Sequence, residues 1–248
     1  MRRVLRAFEV LVLVAVPAVL ILCAFLRVSQ TAVLTLVVAL VALVVFFASY
    51  EVGRPTLRQV MPTVVLGALA AAGRMLFAAV PNVKPVTAVC IVAGVVFGRR
   101  AGFMVGALAA FVSNFFFGQG PWTPWQMYAW GMAGYFAGVL AESGLFAYRP
   151  VVYGYGFLAA MLYGVLLNSW YIVGFVQPLT WQGALLAYGA SLPFDAAHGV
   201  ATVAFLLVIF APWRKKLERI KKKYGPSEMW DFPTVTPTAT RDHGSGPQ

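Results

Sequence analysis

The chain has 248 residues, 61% of them hydrophobic and only 11% charged, with a formal net charge of +11. Globular chains carry roughly 25% charged residues, so this composition excludes a soluble single-core enzyme, a disordered chain and a disulfide scaffold, and it reads as an all-α polytopic membrane protein. The two cysteines, Cys23 and Cys90, lie inside apolar runs and read as small packing residues, not as a disulfide or a metal pair.

A helix needs about 20 apolar residues to cross the hydrocarbon. Windows of this kind cover residues 7–27, 31–50, 59–80, 85–98, 101–117, 124–142, 151–173 and 191–211, which predicts eight spans. The first follows Arg2, Arg3 and Arg6 as a secretory signal would, but it is too long and no small-residue cleavage site closes it, so it reads as a retained anchor. The fourth and fifth windows are short, with Gly98-Arg99-Arg100 as the only polar break between them, and they count as two spans. After the last span comes a basic segment, 212–225. Residues 226–248, rich in Pro and Thr, cannot bury a core and read as a disordered tail.

Placing the amino terminus inside puts Arg2, Arg3, Arg6, Arg54, Arg58, Arg99, Arg100, Arg149 and the seven basic residues from Arg214 to Lys223 on the cytoplasmic side. The positive-inside rule is then obeyed in every loop, with both termini cytoplasmic and the protein in the cell membrane. The basic run reads as an anchor at anionic headgroups and not as a nucleic-acid surface. The outer loops hold only Arg27 and Lys84, and Arg74 lies within a span; of these, Arg74 and Lys84 stand beside the outward polar residues.

Polar side chains within spans are expensive and are functional candidates by default. Arg74, Asn114, Gln126, Asn168, Asp195 and His198 all fall toward the outer ends of their spans, with Pro193 suited to the first turn of the last one. A shared depth favours one outward-facing polar pocket over six separate packing bonds. The outer loops add Asn82-Val83-Lys84-Pro85 and Gly118-Gln119-Gly120-Pro121-Trp122-Thr123-Pro124-Trp125, the latter turn-rich enough to fix Trp122 and Trp125 over a cavity. Trp170 and Trp181 read as interfacial belt residues. Indole faces suit a flat heterocycle, and Arg, Lys, Asp, Asn and Gln suit its polar edges.

Asp195 and His198, three apart, share a helix face but make a poor metal site without a third ligand. A bridge between Asp195 and Arg74 is the structural alternative to direct ligand contact. Glu142 lies at the cytoplasmic end of its span and reads as solvated. Walker A, dinucleotide, zincin and nucleophile-elbow patterns are missing, so no catalytic residue, cofactor or metal is assigned. Span 3 carries small residues at four-residue spacing, Gly67 with Ala71 and Ala68 with Ala72, a surface that admits close helix approach. Packing inside the bundle is the plainer use of such a surface.

Taken together, Asn82-Val83-Lys84-Pro85, the run from Gly102 to Met127 and Pro193-Phe194-Asp195 with His198 resemble the substrate-binding S components of energy-coupling factor (ECF) vitamin transporters, closest to cobalamin-type or otherwise unassigned members. The resemblance covers residues 58–211 and implies a six-helix substrate-binding core, here preceded by two extra transmembrane helices in residues 1–57. It implies capture of a vitamin or related micronutrient at the outer face, docking through Ala68 and Ala72 on a coupling transmembrane subunit, and energy from two ATPase subunits. The alternative is a small membrane-embedded enzyme using Asp195, His198 and Arg74 on a lipid or isoprenoid headgroup. A secondary transporter would want an inverted repeat and sites near the midplane, and neither is visible.

Overall fold

The computed structural model describes residues 31–51, 57–176 and 178–223, with four isolated positions before them. The expected span 7–27 and the tail 226–248 lie outside the described residues. Seven α-helices are described, with no strand among them: α1 Thr31–Glu51, α2 Leu57–Leu76, α3 Val86–Phe97, α4 Arg99–Phe117, α5 Thr123–Glu142, α6 Arg149–Phe175 and α7 Trp181–Lys223, with a 3₁₀ turn at Leu145–Ala147 before α6. Four of them, α2, α4, α6 and α7, are long and apolar enough to cross a membrane, which makes this an all-helical membrane protein.

The core centres on α3. Its 12 residues are apolar around the whole circumference except for Thr87, and all but one are buried, as expected of a helix enclosed on every side. At about 1.5 Å per residue it is roughly 18 Å long, too short for a hydrocarbon layer of about 30 Å. Thus the fourth window is a half-length helix inside the bundle and not a lipid-facing span. Gly98 ends it at φ +87, a conformation open to glycine, and its N–H returns to the Gly94 carbonyl at 3.0 Å. The hairpin into α4 is therefore a single residue long.

Glycine also sets how closely α3, α4 and α5 approach. A Cβ on Gly94 or Gly102 would run into the Gly134 backbone, and one on Gly106 into the backbone of Trp130 and Gly131. Such a seam permits backbone contact where lipid supplies no hydrophobic drive between helices. The sequence reading found small residues only on span 3 and overlooked this larger set.

α1 packs on the core through Ala39, Ala42, Leu43, Phe46 and Tyr50, a stripe at three- and four-residue spacing. Phe46 stacks on Phe103 at 3.9 Å and meets the edge of Tyr135, while the Tyr50 hydroxyl donates to Thr63 Oγ1 at 3.2 Å. This helix braces α4 and α5 from one side.

α7 corrects the last expected span. It begins at Trp181, ten residues earlier than expected, so Pro193 is a helix-interior proline and not a first-turn residue. It continues through Pro212 into the basic segment as far as Lys223, where Arg214 Nε donates to Glu218 Oε1 at 2.8 Å. Its 43 residues give about 64 Å, twice the hydrocarbon thickness. Asp195 still lies about 28 Å from Arg214 along that axis, almost a full membrane core away from the basic end.

Candidate functional site

Alternating helix direction brings the ends of α2, α4 and α6 together with the starts of α3, α5 and the Asp195 region of α7, opposite the Arg99 hairpin. Here each of these six helices contributes to one connected chain of polar and aromatic side chains. Arg74, 9% exposed as a residue, donates through its guanidinium Nη1 to Ser113 Oγ at 2.6 Å and to Asn114 Oδ1 at 2.7 Å. Because arginine can only donate, the Asn114 amide has a determined orientation. Its Nδ2 donates to Thr123 Oγ1 at 2.9 Å and Gln126 Oε1 at 2.8 Å. Thr123 in turn donates to Gln119 Oε1 and accepts from the Gly120 N–H, which ties the α4–α5 loop to the same network.

Aromatic rings carry the chain across to α7. The Arg74 guanidinium lies 4.5 Å from the Phe117 ring centre and 4.9 Å from that of Trp130. Trp130 stacks on Tyr163 at 4.5 Å, and Tyr163 meets the His198 ring edge-on at 5.4 Å. Thr87 Oγ1 accepts from Trp130 Nε1 at 3.2 Å and lies 3.0 Å from His198 Nε2. Beside this row α6 and α7 hold a third group: Asn168 Nδ2 donates to Asp195 Oδ2 at 3.2 Å and to Ser191 Oγ at 2.8 Å, and the Ser191 hydroxyl is 3.1 Å from the same carboxylate. The Asp195 carboxylate rests against Gly164, where any Cβ would collide with it.

The structure brings Arg74, Asn114, Gln126 and His198 into this row and holds Asn168 and Asp195 in a separate group beside it, so the pairings are not those expected. Asp195 and His198 turn to different partners. No bridge joins Asp195 to Arg74; among the described residues no carboxylate reaches ion-pair distance of that guanidinium. The reason is placement: Arg74 faces α4 and α5, Asp195 faces α6, and the Trp130–Tyr163 stack links the two regions.

The loop residues depart further from expectation. Lys84 turns back on α2, its ammonium meeting the carbonyls of Phe77 and Val80, so it caps the carbonyl-rich end of that helix. Burial, and then the neighbouring Arg74 cation, push its pKa below the ordinary lysine value. Asn82 occupies the turn at φ +58, a left-handed conformation that asparagine tolerates, and this reversal lets Lys84 reach back. Trp122 and Trp125 do not form a pair over one cavity. Trp122, 39% exposed, lies on its own loop against Gly120, whereas Trp125 is fully buried beside α1 and stacks on Trp170 at 6.3 Å. Trp170, only 7% exposed, is thus a core residue and not a belt residue; Trp181, 70% exposed, suits the interface. At the opposite end of the bundle Glu142 lies 4.0 Å from Arg99, paired across the α4–α5 contact instead of standing in solvent.

Sequence reading overlooked Thr87, Ser113, Thr123, Trp130, Tyr163, Gly164 and Ser191. Two of these had a readable signal: Ser113 adjoins Asn114, and Ser191 stands one helical turn before Asp195. The others are recognisable only once the helices are packed.

On α2 the two small-residue pairs separate. Gly67 and Ala71 face inward, a Cβ on Gly67 lying 3.0 Å from Leu108 Cβ, while Ala68 and Ala72 are exposed along with Met61, Val65 and Leu69.

No curated protein and no solved structure matches the chain. A family profile described as a family of unknown function, DUF6580, matches residues 54–223, from just before α2 to the end of α7. The whole polar row lies within that range, and the chain belongs to the DUF6580 family.

Proposed function

We propose that the protein is the substrate-binding S component of an ECF-type importer, which captures a vitamin-like micronutrient at the outer face of the cell membrane and delivers it by docking on an ATPase-driven coupling module. The observation that carries this reading is the convergence of six helices on one connected polar and aromatic row at a single end of the bundle. Placing that end outward follows from the basic residues at the other end. Binding then draws on Arg74, Asn114 and Gln126 on one side of the Trp130–Tyr163 stack, and on Asn168, Asp195 and His198 on the other. The exposed face of Ala68 and Ala72 supports docking, because small side chains let a partner helix approach closely.

The membrane-enzyme alternative draws less support. Its three groups, Asp195, His198 and Arg74, each hold separate partners instead of converging on one reacting position.

The test is expression of the full chain with an energising module in a vitamin-requiring host, combined with mass spectrometry of small molecules that co-purify with the protein. A co-purifying micronutrient whose uptake depends on the module is the expected result. Chemical turnover by the purified chain alone would overturn the proposal.

A further inference from the structure

The hydrogen bonds around Arg74 leave an unbalanced set of valences. Nη1 uses both of its protons on Ser113 and Asn114. Nε and Nη2, which carry three more N–H donors, meet no acceptor among the described residues. Ser113 gives its own proton to the Ala110 carbonyl at 3.3 Å, so it can only accept from Arg74. Asn114 directs its amide nitrogen to Gln126 Oε1, which leaves the Gln126 nitrogen as a donor near the Tyr163 hydroxyl. The unfilled valences at this end of the row are therefore donors.

Charge has the same sign. Arg74 is more than nine-tenths buried in a membrane helix, the Lys84 cation is close enough to interact with it, and no carboxylate pairs with it among the described residues. A buried guanidinium without a counter-charge is costly. Phe117 and Trp130 offset part of that cost through their ring faces, but they supply no acceptor for Nε and Nη2. An oxyanion would fill the fork bidentately.

The geometry points to Arg74 as the receptor for an oxyanion, a carboxylate or phosphate, carried by the transported substrate, with Gln126 donating beside it and Trp130 flanking. This rests on the import reading and narrows its substrate to an anionic class.

The test uses the full chain in nanodiscs of phosphatidylcholine, with benzoate, benzamide and inorganic phosphate as probes and tryptophan fluorescence as readout, since Trp130 adjoins the guanidinium. Benzoate and phosphate should give saturable changes, and benzamide, equal in shape but uncharged, should bind about tenfold to a hundredfold more weakly. Arg74→Gln should lose the benzoate response, and Arg74→Lys should retain part of it. The benzoate–benzamide comparison needs no variant and stands even if Arg74→Gln fails to fold. Equal responses to the two probes, absence of any saturable response, or an unchanged benzoate response in a folded Arg74→Gln protein would overturn the assignment. Repeating the titration with phosphatidylglycerol in the disc separates the sources: suppression of the benzoate signal would place a lipid phosphate at Arg74 and overturn the substrate assignment. Assembly of the chain with its energising module is measured separately. It fails if the import reading is wrong and is unaffected if only the oxyanion assignment is wrong.

Discussion

Arg74 Nη1 lies 2.7 Å from Asn114 Oδ1, and this one bond orients the polar network on its side of the bundle. Asn114→Ala removes an acceptor from a buried cation and the donor to Thr123 and Gln126. We expect a loss of about 1–3 kcal/mol, seen as a lower thermal midpoint in detergent. Asn114→Leu should behave similarly, since it restores bulk but no acceptor. A wild-type midpoint in both variants would show that the network does not stabilise the fold.

Gly164 offers a test of the Asp195 region. A Cβ there collides with the carboxylate, whereas one on Gly154, ten residues earlier on α6, meets nothing within 4 Å. Gly164→Ala should displace Asp195 from Asn168 and Ser191 and lower substrate uptake by roughly tenfold, with Gly154→Ala indistinguishable from wild type. The pair is compared in an uptake assay at matched expression.

The two small-residue pairs on α2 make opposite predictions. Ala68→Leu and Ala72→Leu add bulk to an exposed surface and should leave stability within about 0.5 kcal/mol of wild type, while, on the proposed import reading, co-purification with a coupling subunit falls. Gly67→Leu drives bulk against Leu108 and should cost about 1–3 kcal/mol or more. Thermal unfolding and pull-down, measured on the same samples, separate the two effects.

Trp125 distinguishes a core role from a ligand-binding one. Its Nε1 makes no hydrogen bond despite full burial, so Trp125→Phe breaks no bond, opens a smaller void than alanine would, and should cost less than the alanine variant and spare uptake. Trp125→Ala, which opens a void against Trp170 and α1, should cost about 3–5 kcal/mol. A large uptake defect in Trp125→Phe with normal stability would return this indole to the binding site.

Much of this protein is legible without coordinates because the bilayer constrains sequence strongly. Apolar length and basic flanks identified the helical membrane class, the Gly98 break and the ionisable and amide residues within the helices, though not the hydroxyls that partner them, since a charge or an amide there has to be accommodated at a cost. Those rules act along the chain, one helix at a time. They do not say which way a side chain turns once helices pack. Tertiary structure decided that Arg74 meets Ser113 and Asn114 and not Asp195, that Trp125 belongs to α1 and Trp170, and that Lys84 caps α2. It also separated Gly67 and Ala71 from Ala68 and Ala72, pairs that are equivalent by spacing alone. Hydropathy reports how deep a residue lies, and only the rotation of each helix against its neighbours determines its partner.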